Sequence, residues 1–231
     1  MANDRLETRK KYLAYLENLI TENKRSIFDR AINQRTKHIT VVLEDIYQSH
    51  NASAVLRSCD CFGIQDLHII ENKNTYTINP DVALGSSKWL NLIKYNSEKN
   101  NTVKCYEELR AQGYRIVATT PHKDDILLDD LELDHKTALV FGTEMEGLSD
   151  LAIKHADAYV KIPMYGFTES FNISVSAGIT LHHLTERLRS SNIKWQLGEE
   201  EVIETRILWA SSVVKHPDRL EKAFLKQSGL D

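Results

Sequence analysis

At 231 residues, with 42% hydrophobic and 27% charged residues, the chain can bury a sizeable core and is neither disordered nor fibrous in composition. A net charge of −4 argues against a protein that coats nucleic acid nonspecifically, and no apolar run approaches membrane-spanning length. The polar stretch from Met1 to Lys11 is unlike a signal peptide, so the expected compartment is the cytoplasm; three cysteines (Cys59, Cys61, Cys105) without zinc spacing read as plain thiols.

Apolar residues three or four apart between residues 5 and 36 predict a helical arm of two segments. From Met1 to His38 there are nine Lys/Arg against five Asp/Glu, whereas from Glu199 to Asp231 there are five against seven. A phosphate-contacting arm and a solvated amphipathic helix pair both account for that pattern. Ile39 to Leu43 is β-branched and apolar, a buried strand. Asn51 is the expected cap of a helix running to Phe62, with Val55 and Cys59 inward, Ser53, Arg57 and Asp60 on the polar face, and Gly63 closing it. Leu67 to Ile70 follows as a strand, and strand–helix–strand implies a parallel sheet. Further strands are expected at Trp89–Tyr95, Tyr114–Thr119, Thr137–Phe141 and Tyr159–Ile162. Helices are expected at Thr102–Gln112, Leu148–Asp157, Ser174–Ser190, Glu200–Val214 and His216–Gln227.

In a parallel sheet, ligands sit beyond the carboxyl ends of the strands. Three loops at such ends stand out: Thr119-Thr-Pro-His-Lys-Asp124, Gly142-Thr-Glu-Met-Glu-Gly-Leu-Ser149, and the stretch from Ile162 to Ile179, with Ser170, Asn172, Ser174 and Ser176 at alternate positions. The last suits a polar small molecule or a phosphate at a helix N-terminus, and equally an ordinary helix capped by Ser170 or Asn172. Gly142-x-x-x-x-Gly147 has P-loop glycine spacing, but Leu148-Ser149 replaces the Lys-Ser/Thr that a nucleoside triphosphatase needs. No G-x-G-x-x-G follows the first strand, which removes the dinucleotide fingerprint. Arg57 can grip a phosphate or carboxylate in a bidentate fork, or pair at the surface with Asp60.

Asn51-x-x-Ala54-Val55-x-Arg57 with Phe62-Gly63, Leu139-Val-Phe-Gly-Thr-Glu-Met-Glu-Gly-Leu148, and Ile162-Pro-Met-x-Gly-x-x-x-Ser170-x-Asn172-x-Ser174-Val175 together resemble the three motifs of the SPOUT superfamily of RNA 2′-O-ribose methyltransferases. The likeness is to the TrmH type, which acts on guanosine 18 in the tRNA D-loop. It implies an α/β fold: a parallel sheet with helices on both faces and a deep trefoil knot in its C-terminal part. Residues 37–190 would be the methyltransferase domain, 1–36 a helical arm and 191–231 a helical extension. The resemblance further implies S-adenosylmethionine as cofactor, a homodimer, tRNA as partner and no metal. It places Thr119, Gly142, Glu144, Ile162, Met164 and Phe171 at the methyl donor, and Asn51, Arg57, Glu144, Ser170 and Asn172 at catalytic positions. A ribosomal RNA or anticodon-loop substrate, or an inactive RNA-binding protein of the same fold, are the alternatives.

Overall fold

The computed structural model describes residues 2–121 and 125–228; His122, Lys123 and Asp124 of the predicted strand-end loop lie outside the described residues. In chain order the elements are α1 (Ala2–Glu17), α2 (Glu22–Ile32), β1 (Ile39–Glu44), α3 (Ser49–Cys61), β2 (Asp66–Ile70) and α4 (Pro80–Ala83). After a 3₁₀ turn at Ser86–Lys88 come β3 (Asn91–Tyr95), α5 (Asn101–Ala111), β4 (Tyr114–Thr119), β5 (Ile126–Leu127) and β6 (Lys136–Phe141). The chain continues with α6 (Asp150–Lys154), β7 (Ala158–Lys161), α7 (Ile173–Arg189), α8 (Glu199–Val213) and α9 (Pro217–Ser228). The described residues pack as two units, one formed by residues 1–35 with 196–231 and the other by 36–195.

In the larger unit the strands form one sheet, ordered β3-β2-β1-β6-β4-β7-β5, with every pairing parallel. The expected parallel sheet with helices on both faces is therefore present. Alternate residues of each strand enter opposite layers, because successive side chains of a strand point to opposite faces. Val41, Leu43, Leu139 and Phe141 pack on one side with Val55, Leu56 and Cys59 of α3 and Ala177, Leu181 and Leu184 of α7. Val42, Ala138, Val140, Ile116 and Ala118 pack on the other with Cys105, Tyr106 and Leu109 of α5 and Ala152 of α6. Burial on both faces is why these strands read as continuous apolar runs. Cys59 is buried and Cys61 exposed, on different sides of α3 as their spacing predicts.

At the carboxyl end of β1 the buried Glu44 accepts hydrogen bonds from Thr102 Oγ1 at 2.6 Å and from Ser149 N and Oγ at 2.9 and 2.8 Å. A carboxylate fully used in this way fastens the exit of the 142–149 loop to the sheet.

His68 of β2 lies buried on the α5 side, its Nδ1 3.2 Å from the Tyr95 hydroxyl. Burial pushes its pKa down from the usual 6.5 to about 4. Between those values the unfolded chain binds more protons than the native one. The contribution is therefore intact above pH 6.5 and is lost as pH falls towards 4, by about 2 kcal/mol at pH 5. Urea midpoints at pH 7.5 and 5 should show this drop in the wild type and a much smaller one in His68→Gln; an equal drop in both would remove His68 as its source.

In the smaller unit charges of the arm pair with charges from the other end of the sequence. Arg9 pairs with Glu204 and Glu221, Lys10 with Glu199, and Arg206 of α8 with Glu17 and Asp29. Phe28 packs on Trp209 with ring centroids 5.4 Å apart, and Tyr12 on Phe224 at 5.2 Å. Part of the positive charge that the sequence displays along this arm is thus engaged in holding four helices together.

Candidate active site

The chain leaves β1 through Asp45 and enters α3 at Ser49, with Gln48 as N-cap residue and no side-chain cap bond. Asn51, expected as the cap, instead sits inside the first turn, and its buried amide is free for a tertiary role. Its Nδ2 donates to Glu144 Oε1 and, at 3.0 Å, to Gln48 Oε1. Ser53 is likewise not on a solvent face: it is buried, and its hydroxyl accepts from the main-chain N–H of Asn79 at 2.8 Å.

The 142–149 loop turns tightly. Thr143 and Gly147 exchange main-chain hydrogen bonds of 2.9 and 3.1 Å, Gly147 has φ of 71°, and Ser149 caps α6. A Cβ on Gly142 would lie 2.2 Å from the carbonyl of Gly147, so this position is glycine for want of space. Between the two cap candidates for the third helix of the site, the structure selects Asn172. Its Oδ1 accepts from Ser174 N at 2.9 Å and Oγ at 2.6 Å, and its Nδ2 donates to Asn51 Oδ1 at 3.2 Å. Glu144, Asn51 and Asn172 thus form one hydrogen-bonded chain across three motifs that are 93 and 121 residues apart in sequence.

Beside this chain, beyond the carboxyl ends of β4, β6 and β7, opens a crevice of about 280 Å³ walled by Thr119, Gly142, Glu144, Ser170 and Phe171. A smaller recess of about 80 Å³ adjoins it and adds Ile162, Met164 and Leu128. Thr119 is held by its hydroxyl, which donates to the Val140 carbonyl at 2.8 Å. All six residues expected at the methyl donor therefore line these two spaces. Among the described residues, the main chain from Met164 to Phe171 makes no hydrogen bond, leaving its N–H and C=O groups open to a ligand. Apolar side chains for an aromatic base, open main-chain groups for its edge and a sugar, and the Glu144 carboxylate for a positive centre fit a nucleoside bearing a sulfonium.

Of the five residues expected at catalytic positions, Glu144 and Ser170 line the crevice, Asn51 and Asn172 line neither space and are tied to it through Glu144, and Arg57 stands apart. It is exposed on α3, lines neither space, and among the described residues makes no ion pair, the surface pair with Asp60 included. Arg187 and Arg189 of α7 are spent on structure: Arg187 donates to the carbonyls of Leu128 and Leu131, Arg189 to that of Phe62 while stacking 4.6 Å over Trp195. Gln48 and Leu128 were not singled out from sequence; neither stands in a motif, and no local pattern marks them.

A doubly wound parallel sheet whose strand-end loops close on such a crevice defines a ligand-binding α/β enzyme. Residues 38–182 match the SpoU rRNA Methylase family, and the chain belongs to that family of methyltransferases. It is 44% identical over 211 residues to the tRNA (guanosine(18)-2'-O)-methyltransferase of Borreliella burgdorferi, covering 91% of this chain and 95% of that one. To the enzyme of the same name from Aquifex aeolicus it is 29% identical over 208 residues, covering 88% and 97%. The crystal structure of the A. aeolicus TrmH/SpoU tRNA modifying enzyme aligns with a TM-score of 0.72 at 30% identity, over 83% of this chain and 99% of that one. AviRb from Streptomyces viridochromogenes, solved in complex with AdoMet, shares the fold at a TM-score of 0.59 and 24% identity, over 71% and 65%. SpoU methyltransferases use S-adenosylmethionine.

Proposed function

We propose that the protein methylates the 2′-hydroxyl of a ribose in tRNA, at guanosine 18 of the D-loop, as a cytoplasmic homodimer that needs no metal. The observation that carries this reading is the Glu144–Asn51–Asn172 chain, of which Glu144 lines the crevice. S-adenosylmethionine, held by Thr119, Gly142, Glu144, Ile162, Met164 and Phe171, would supply a methyl group already activated by the positive sulfur. Positioning and deprotonation of the ribose hydroxyl are then what this chain's residues must provide.

Arg57 grips the phosphate beside the target ribose and steers the hydroxyl. A charged guanidinium is a poor proton acceptor, so the neighbouring phosphate takes part in removing the hydroxyl proton. Asn51, Ser170 and Asn172 orient the ribose, and Glu144 fixes the amide of Asn51. Because Arg57 stands apart from the crevice within one chain, the second copy of a homodimer would bring its own Arg57 to it. The fully exposed rings of Tyr165 and Phe167 beside the site are suited to that contact. Residues 37–190 form the methyltransferase domain here, with the threaded trefoil of its family as part of the proposal, and 1–36 and 191–231 its helical arm and extension.

The test is mass mapping of 2′-O-methyl groups in tRNA and ribosomal RNA after incubation with the purified protein and donor. Methylation at guanosine 18 is the expected result; modification only of ribosomal RNA or of the anticodon loop would replace the substrate, and none at all would overturn the reading.

Asn172→Asp separates the two duties of that residue. An aspartate still caps α7, so stability should stay within about 1 kcal/mol. It cannot donate to Asn51 and sets a second carboxylate near Glu144, so kcat should fall by about 100-fold or more. Thermal melts and single-turnover rates on the same preparation would show both, and an undiminished rate would remove Asn172 from the site.

A further inference from the structure

A second cleft, of about 730 Å³, shares the 143–147 segment as a wall with the donor crevice and lies where the loops after β1, β2 and β6 converge. Two of its wall residues, Gln48 and Glu144, are the acceptors of the Asn51 amide, so it opens directly beside the group that orients the ribose.

Its walls are built around one residue. Asp45 holds a left-handed backbone, φ 54°, unusual for a residue other than glycine. Its Oδ1 accepts from the main-chain N–H groups of Asn72 and Lys73, each at 2.7 Å, and of Asn74 at 3.3 Å; its own carbonyl accepts from Asn74 Nδ2 at 2.7 Å. This single residue therefore fixes both the segment that presents Tyr47 and the one that presents Lys73. Tyr47 is 77% exposed, and among the described residues its ring has no aromatic partner. Lys73 Nζ meets Glu146 Oε2 at 3.3 Å across the rim, with both side chains about three-quarters exposed. A pair so exposed contributes almost nothing to stability, and exchanging partners costs little.

We propose that this cleft seats the base of the target nucleotide and selects guanine, with the ring stacked on Tyr47 and the base edge read by Lys73 and Glu146. An ammonium donor next to a carboxylate acceptor complements an edge on which a carbonyl oxygen adjoins two N–H donors, the arrangement of O6, N1–H and the 2-amino group of guanine. Glu144, Glu146 and Asp150 make the lining acidic, which turns away a phosphate and favours an edge of N–H donors. The inference rests on the ribose-methylation reading above and adds to it the residues that choose the base.

The experiment compares full-length wild type, Tyr47→Ala, Tyr47→Phe and Glu146→Gln on tRNA transcripts carrying guanosine or inosine at the methylated position, since inosine lacks only the 2-amino group. Donor affinity is read by calorimetry alongside. Tyr47→Ala should raise the KM for RNA by roughly 5- to 150-fold with unchanged Tm and donor affinity, and Tyr47→Phe should stay within about twofold of wild type. Wild type should prefer guanosine to inosine, and Glu146→Gln should lose most of that preference. A wild-type KM in Tyr47→Ala, a loss that phenylalanine does not rescue, or an undiminished preference in Glu146→Gln would each overturn the proposal while leaving the function standing. A wild type that methylates no transcript defeats the function itself, and this inference with it.

Discussion

Replacement of Arg57 by alanine is expected to lower kcat for RNA methylation by about 100- to 10,000-fold while leaving donor affinity and Tm unchanged. The side chain is exposed on α3 and, among the described residues, bears no hydrogen bond or ion pair, so its removal takes nothing from the fold. What it takes is a bidentate grip on an RNA phosphate, which a planar guanidinium makes in two directions at once. Arg57→Lys keeps the charge and loses the fork, and should recover only part of the rate. Single-turnover kinetics at saturating donor and RNA make the comparison; wild-type turnover in Arg57→Ala would show that the guanidinium takes no part. Mixing Arg57→Ala with Asn51→Ala, each expected to be severely impaired on its own, then asks whether the site draws on two chains. Recovered activity in the mixture is the expected result.

Gly142→Ala should cost about 1–3 kcal/mol of stability and at least about 10-fold in affinity for S-adenosylmethionine. The added methyl would meet the carbon and oxygen of the Gly147 carbonyl at 2.2 Å and the nitrogen of Leu148 at 2.4 Å, main-chain atoms that no rotamer change can move aside. Relief requires displacing the 143–147 turn, and with it Glu144 and the bond that holds Asn51. Gly147→Ala is the contrast: nothing lies within 4 Å of a new Cβ there, and only the left-handed φ of 71° opposes it, at about 1 kcal/mol. Thermal melts with calorimetric titration of the donor distinguish the two. Wild-type affinity in Gly142→Ala would mean that this turn is not a wall of the donor site.

The βαβ alternation, both helices of the arm and the motif residues were legible because each rests on local patterns. Strand ends shifted by a residue or two, as ladder and helix termini do. The two-residue β5 was not legible, since two exposed apolar residues become a strand only by pairing with β7. Asn51 was misplaced as a cap because its local sequence suits one; Glu144, far along the chain, offers its amide a charged acceptor, and the amide goes there. Ser53 was assigned to solvent because the chain segment ending at Asn79, which covers it, has no signature on α3.

The sequence by itself determined the class of fold and the residues around which chemistry is organised. Apolar periodicity is a property of neighbours along the chain, and motif residues keep their identity whatever surrounds them. Tertiary structure alone decided which partners those residues take: that Asn51 joins Glu144 to Asn172, that Arg187 and Arg189 serve carbonyl groups, that Arg57 stands outside the crevice, and that acids near the C-terminus pair with Arg9 and Lys10 of the N-terminal arm. A hydrogen bond or ion pair depends on the approach of groups separated by as many as 212 residues, and only the folded chain fixes those distances.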